Sequence, residues 1–230
     1  VVSVGAKQAL CNAIEALIGP DDEVIMPTPC WVSYVEMVKI AQGKSVLVKT
    51  SMDNNFCLTA EQLKAAITPN TRLLLLCSPN NPTGSVYTLD NLKALVEVLK
   101  HYPQVNVLAD EIYQHILYTG KHETLAQFPE LEDRLIIING VSKAYAMTGY
   151  RIGWLACHNQ DFITAVKRLQ GQTISCATTI AQRAAEAAYN GPQECVEEMC
   201  QAFERRRNLI VRLAKEISGM KVLEPQGAFY

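Results

Sequence analysis

Leu135-Ile136-Ile137-Ile138-Asn139 leads through Gly140-Val141-Ser142-Lys143-Ala144-Tyr145-Ala146-Met147-Thr148-Gly149-Tyr150-Arg151 into Ile152-Gly153-Trp154-Leu155-Ala156. Two short apolar runs enclose a polar connection. Both runs are too short for helices and the first is rich in β-branched residues, so both read as strands. The connection carries the chemistry. A lysine at a strand end can condense with an aldehyde, while the hydroxyl of Ser142 beside it and the fixed cation of Arg151 farther along can hold a phosphate on the same molecule. A Ser-Lys pair alone says little, because such pairs are common on surfaces. The rest of the chain decides what it means.

Working outward, short apolar runs alternate with helical periods over the first two thirds of the chain. Strands are expected at Val1-Val4, Glu23-Met26, Ser45-Val48, Arg72-Cys77, Val105-Ala109, Leu135-Asn139 and Ile152-Ala156. Helices are expected at Lys7-Ile18, Tyr34-Ala41, Ala60-Ile67 and Leu89-Lys100, the third opened by a capping box of Thr59 with Gln62. Strand-helix-strand alternation of this kind implies a largely parallel sheet with helices on both faces. After Cys157 the texture becomes helical: Asp161-Gly171, Thr179-Asn190 and Pro192-Ser218. The basic cluster Glu204-Arg205-Arg206-Arg207 on the last helix reads as a solvated face.

The 230 residues are 49% hydrophobic, enough for a full core, with a net charge of -2 and eight cysteines. That charge offers no basic field for nucleic acid, and no apolar run approaches the ~18 residues a membrane span needs. Small-molecule partners fit better. The cysteines are scattered singly without a Cys-x-x-Cys pair, which favours reduced, buried thiols and a cytoplasmic setting over a disulfide framework. The chain opens at Val1 without Met and closes on the apolar, strand-like Gly227-Ala228-Phe229-Tyr230, so it reads as a piece of a longer protein.

In α/β sheets ligands gather at the carboxyl ends of strands, so the polar residues that follow strands are the candidates for a site. Gly5-Ala6-Lys7 opens the first helix, where small residues let backbone N–H groups approach a phosphate. Trp31 follows the second strand in a proline-rich loop, and its indole can stack on a flat ring. Ser78-Pro79-Asn80-Asn81-Pro82-Thr83-Gly84 presents an amide behind a buried strand. Asp110-Glu111-Ile112-Tyr113 ends another, and a carboxylate there needs a cation such as a protonated pyridine nitrogen. Tyr113 and Asn81 are placed to hold a ring oxygen, whereas Glu111 reads as structural or solvent-facing. A counter-ion, an imine former, hydrogen-bond donors and a phosphate cation together describe pyridoxal 5′-phosphate. No metal is called for.

With these motifs the sequence resembles the fold-type-I pyridoxal-phosphate enzymes, specifically the class I/II aminotransferases of the bacterial aspartate type. The resemblance runs from Val4-Gly5-Ala6-Lys7-Gln8-Ala9-Leu10 to Pro225-Gln226-Gly227-Ala228-Phe229-Tyr230. It implies a three-layer α/β/α sandwich with a mostly parallel seven-stranded sheet, in which Ile152-Ala156 runs against the other six. It implies that Lys143 forms the Schiff base and shuttles a proton, that Asp110 holds the ring nitrogen, and that Tyr113 and Asn81 hold the ring oxygen. Gly5, Ala6, Ser142 and Arg151 then bind the phosphate, with Lys7 in the same turn, and Trp31 stacks on the ring. Residues 1–223 are expected to form the cofactor-binding large domain and 224–230 the start of a C-terminal small domain. The implied reaction is transamination between an amino acid, aspartate foremost, and 2-oxoglutarate, in a homodimer. The 230 residues alone are expected to hold cofactor without turnover, since the arginine for the substrate α-carboxylate lies outside them.

Three alternatives differ from this reading. Carbon–sulfur β-lyases and aminocyclopropane-carboxylate-synthase-like enzymes share the lysine, the aspartate and the Asn-Pro-Thr-Gly loop. An aminotransferase-like sensor domain of a transcription regulator would carry a DNA-binding module upstream. A Rossmann dehydrogenase is disfavoured because no Gly-x-Gly-x-x-Gly follows the first strand.

Overall fold

The computed structural model describes residues 1–230. Seven strands form one sheet in the order β1-β7-β6-β5-β4-β2-β3. They are β1 Val2–Val4, β2 Glu23–Thr28, β3 Lys44–Lys49, β4 Thr71–Cys77, β5 Asn106–Asp110, β6 Leu135–Gly140 and β7 Ile152–Ala156. β7 is antiparallel to both of its neighbours, β1 and β6. The other pairings are parallel. The expected three-layer sandwich with one reversed strand is therefore the fold.

Helices cover both faces, because the central strands are apolar on both sides and must bury each. α1 (Gly5–Leu17) turns Ala9, Leu10, Ala13 and Ile14 inward at helical spacing. With α2 (Ser33–Ile40) and α5 (Gln160–Thr173) it shares a core with Met26, Leu75, Leu108 and Ile138. On the opposite face α3 (Ala60–Ala66) and α4 (Leu89–Leu99) pack Leu63, Leu92 and Leu95 onto Ile25, Leu74, Val107 and Ala109. The capping box of α3 is present in both directions, Gln62 N–H to Thr59 Oγ1 at 3.2 Å and Thr59 N–H to Gln62 Oε1 at 3.1 Å. α6 (Thr179–Asn190) and α7 (Glu194–Lys215) complete the chain.

Three expectations need correction. Arg207 is no solvated residue: it is buried, donates to Pro225 O at 2.6 Å, pairs with Glu224 at 3.3 Å and lies 4.9 Å above the Tyr118 ring. Gly227–Tyr230 forms no strand, only a single bridge from Gly227 to Leu117. Of the eight cysteines, all free, only Cys57 and Cys77 are buried, and Cys176 and Cys195 are exposed. Glu111, by contrast, is structural and not solvent-facing: it is buried, Thr124 Oγ1 donates to it at 2.7 Å, and His122 Nε2 lies 3.3 Å away.

Candidate active site

The strand register gathers the polar residues at one edge. Asp110 is level with Cys77 on β4 and with Ile138 on β6, Gly140 is level with Gly153, and Val4 with Ile152. The parallel strands thus end where the reversed strand β7 begins. Arg151, which precedes β7, shares that edge with Gly5, Asn81, Tyr113 and Lys143, which follow parallel strands. A cavity of about 190 Å³ opens there, lined by Ala6, Lys7, Trp31, Asn81, Asp110, Tyr113, Ser142, Lys143 and Arg151 from the sequence reading. Leu10, Tyr34, Ile112, Thr148 and Tyr230 line it as well.

At one end of the cavity, α1 begins without a side-chain cap or an acidic residue in its first turn. Its leading N–H groups and positive dipole end are thus left without a side-chain partner, and Ala6 and Lys7 of this turn line the cavity. Gly5 adopts φ +76°, and any Cβ there would run into the guanidinium of Arg151. Gly153 is constrained likewise, since a Cβ would strike the backbone of Gly5 and Ala6. These two glycines let β7, α1 and Arg151 close on one another. Arg151 is fixed by donating Nη1–H to Thr148 O at 2.7 Å. Ser142, buried, completes this end.

At the other end lies Asp110, 3% exposed. Its Oδ2 accepts from Tyr34 Oη–H at 2.7 Å and its Oδ1 from Ile112 N–H at 3.2 Å. Burial raises its pKa from 3.8 to about 6, against the lowering effect of those two donors. Lys143 is half-buried between the two ends. Burial lowers its pKa first, the nearby Arg151 charge lowers it further, and Asp110 partly opposes both. A depressed ammonium pKa enlarges the fraction of free amine, which is the nucleophilic and basic form.

Asn81 and Tyr113 do meet, through a residue the sequence reading did not include. Asn81 Nδ2–H donates to Tyr230 Oη at 3.0 Å, and the Tyr113 and Tyr230 hydroxyls lie 2.9 Å apart. Phe229 stands 5.2 Å from Lys143 Nζ. Both aromatics are delivered by a segment pinned through Gln226 N–H and Gly227 N–H to Gly84 O and through Ala228 N–H to Ile116 O. Trp31 forms a side wall with its ring edge-on to Tyr34, centroids 5.3 Å apart. Lys7, exposed at the rim, leans over Trp31 at 4.7 Å and donates to Ser33 Oγ at 3.3 Å. Tyr34 and Tyr230 were missed because hydroxyl partners are set by tertiary packing. Tyr34 meets Trp31 because the turn that opens α2, closed by Tyr34 N–H on Trp31 O at 3.1 Å, brings the two side chains together.

The lining residues contain three cations, Lys7, Lys143 and Arg151, and one carboxylate, Asp110. An uncapped helix start beside an arginine suits a phosphate, and the buried acid at the far end suits a protonated ring nitrogen. An amine between them faces whatever joins the two. Such a fold and cavity suit pyridoxal phosphate. More narrowly, the profile of the family "Aminotransferase class I and II" matches residues 1–230, and the chain belongs to that family.

Over its whole length the chain is 48% identical to an aspartate aminotransferase of Rhizobium meliloti, covering 56% of that protein. It is 50% identical to an aspartate aminotransferase of Geobacillus stearothermophilus, covering 58% of it. A crystal structure of the Rhizobium meliloti aspartate aminotransferase superposes on 99% of the chain with a TM-score of 0.96 and 46% identity, and 57% of that structure is matched. The structure of the Thermus thermophilus aspartate aminotransferase with maleate superposes on 99% of the chain at a TM-score of 0.91 and 40% identity, with 59% of that structure matched. The chain thus spans a little over half the length of these relatives.

Proposed function

We propose that this chain is the cofactor-binding part of a pyridoxal-phosphate-dependent aminotransferase that moves an amino group between aspartate and 2-oxoglutarate. The observation that carries the reading is the single cavity uniting Asp110, Lys143 and Arg151 at one sheet edge. When bound, the cofactor supplies an aldehyde that accepts the amino group and a protonated ring that takes up negative charge from the substrate carbon.

The chain's own residues have distinct tasks. Gly5, Ala6, Ser142 and Arg151 hold the phosphate, with the α1 dipole behind them. Asp110 keeps the ring nitrogen protonated, which offsets the cost of its own burial. Asn81 and Tyr113 hold the ring oxygen and Trp31 flanks the ring. Lys143 bonds the cofactor through Nζ and, once released, carries a proton to and from the substrate carbon, a task suited to an amine of lowered pKa. Lys7 is the cation left over at the rim, placed to receive a substrate carboxylate. Two relatives at 48% and 50% identity bear the name aspartate aminotransferase, which supports aspartate as the amino donor.

We read residues 1–223 as the large domain and 224–230 as the lead into a small domain, in a homodimeric protein of the cytoplasm. No helix here is long and apolar enough to cross a membrane. The test is oxaloacetate formation from aspartate and 2-oxoglutarate by the whole protein loaded with pyridoxal phosphate. Oxaloacetate forming at the expense of aspartate is expected. No transamination with any amino acid, or elimination from a sulfur-containing one, would overturn the reading.

A further inference from the structure

Tyr34 sits on the first turn of α2, outside every strand-end loop, yet its hydroxyl reaches Asp110 Oδ2 at 2.7 Å. At 1% exposure it is among the largest fully buried side chains of the protein. A phenolic hydroxyl in an apolar core is costly unless paired, and phenylalanine would fill this space without that cost. The pairing is specific. The Tyr34 hydroxyl donates to the carboxylate, while the nearby thiol of Cys77 donates to Pro79 O at 3.2 Å. The same ring stands edge-on to Trp31, with planes at 89°. One side chain therefore touches both the acid at the end of the cavity and the indole at its side.

We propose that Tyr34 is a positioning residue for the cofactor ring, its hydroxyl holding the Asp110 carboxylate toward the ring nitrogen and its ring setting the tilt of Trp31. The proposal rests on the cofactor reading above. The ionisable groups facing Asp110 are Tyr34 from α2, Cys77 from the end of β4, Glu111 beside it, Tyr113 three residues on and Lys143 from the loop after β6. Among them Tyr34 alone donates a hydrogen bond to the carboxylate, and the backbone N–H of Ile112 is the second donor. Without the hydroxyl, burial acts on Asp110 with one donor fewer, so the carboxyl is neutral over more of the pH range and turns freely about its last torsion. The loss falls on whatever pairs with that carboxylate. Contacts at the phosphate end are unaffected.

The experiment measures two affinities, by titrating cofactor-free whole protein with pyridoxal 5′-phosphate and with its 1-deaza analogue, whose ring carries C–H in place of nitrogen. The ratio of the two affinities reports the Asp110 contact and is insensitive to a general loosening of the cavity. Tyr34→Phe is expected to lower that ratio about tenfold, the size of one hydrogen bond to a charged group. Tyr34→Leu, a second variant in case the first fails to fold, is expected to lower the ratio similarly while also weakening both ligands through Trp31. An unchanged ratio in whichever variant folds would overturn the proposal, as would equal losses for both ligands. Wild-type protein that binds neither ligand would overturn the cofactor reading and this proposal with it, an outcome plainly different from normal binding with an unchanged ratio.

Discussion

Asp110→Asn should make the cofactor-free protein more stable at neutral pH, although it removes the group that anchors the cofactor ring. Asp110 ionises near 3.8 in an unfolded chain and near 6 in the folded protein, chiefly because burial penalises its charge. At about 1.4 kcal/mol per pH unit, the ionised form carries a penalty of about 3 kcal/mol. Between those two values the folded state binds more protons than the unfolded state, so stability falls as pH rises through the window. Above about pH 6 the full penalty is present, and below about pH 4 it is gone. Asparagine keeps an acceptor for Ile112 N–H and an amide for the Tyr34 hydroxyl, and never ionises. Urea unfolding of both proteins without cofactor should show the variant ahead by about 3 kcal/mol at pH 8 and level with wild type at pH 4. Saturating pyridoxal phosphate should reverse the order at pH 8, because only wild type gains the ring-nitrogen pair. Equal stability at pH 8, or an advantage independent of pH, would refute the argument that burial of an unpaired charge shapes this site.

Arg151→Gln is expected to weaken pyridoxal phosphate binding about tenfold or more, the cost of a charge-assisted contact, with little effect on unphosphorylated pyridoxal. Titration with both compounds checks it, and equal losses would remove Arg151 from the phosphate. Arg207→Met should cost about 2 kcal/mol in urea unfolding, since a hydrogen bond from a charged group to Pro225 O is lost together with the pair to Glu224. It should also speed amide exchange at Gln226, Gly227 and Ala228, whose backbone bonds hold the segment carrying Tyr230. Unaltered exchange there would show that the segment is pinned without Arg207.

Periodicity made most of the fold legible. Every expected strand is present, shifted by one or two residues at some ends: β2 runs on to Thr28, β5 begins at Asn106 and takes in Asp110, and β3 extends to Lys44 and Lys49. Such shifts follow from hydrogen bonding at element ends, where side-chain pattern carries no signal. The reversal of β7 came only from the family resemblance. An apolar run looks the same in either direction, and only the pairing Gly140 with Gly153 and Val4 with Ile152 reveals it. Asp110, Lys143 and Arg151 stand at strand boundaries, where an α/β sheet binds its ligands, so their common site is legible from local sequence alone. Arg207 escaped because its partners, Tyr118, Pro225 and Glu224, come from distant or following segments, and a charge run by itself shows no partner. Tyr34 and Tyr230 escaped for the same reason, with hydroxyls that find Asp110, Asn81 and Tyr113 only after the sheet has formed.

The central claim is that Lys143 is the amine that bonds the cofactor. Protein incubated with pyridoxal 5′-phosphate, reduced with borohydride, digested and examined by mass spectrometry gives the most direct test, because reduction turns the labile carbon–nitrogen double bond into a permanent one. The account predicts one modified peptide with the added group on Lys143, and its complete loss in Lys143→Ala. Modification of Lys7 in place of Lys143, or a Lys143→Ala protein labelled as fully as wild type, would contradict it.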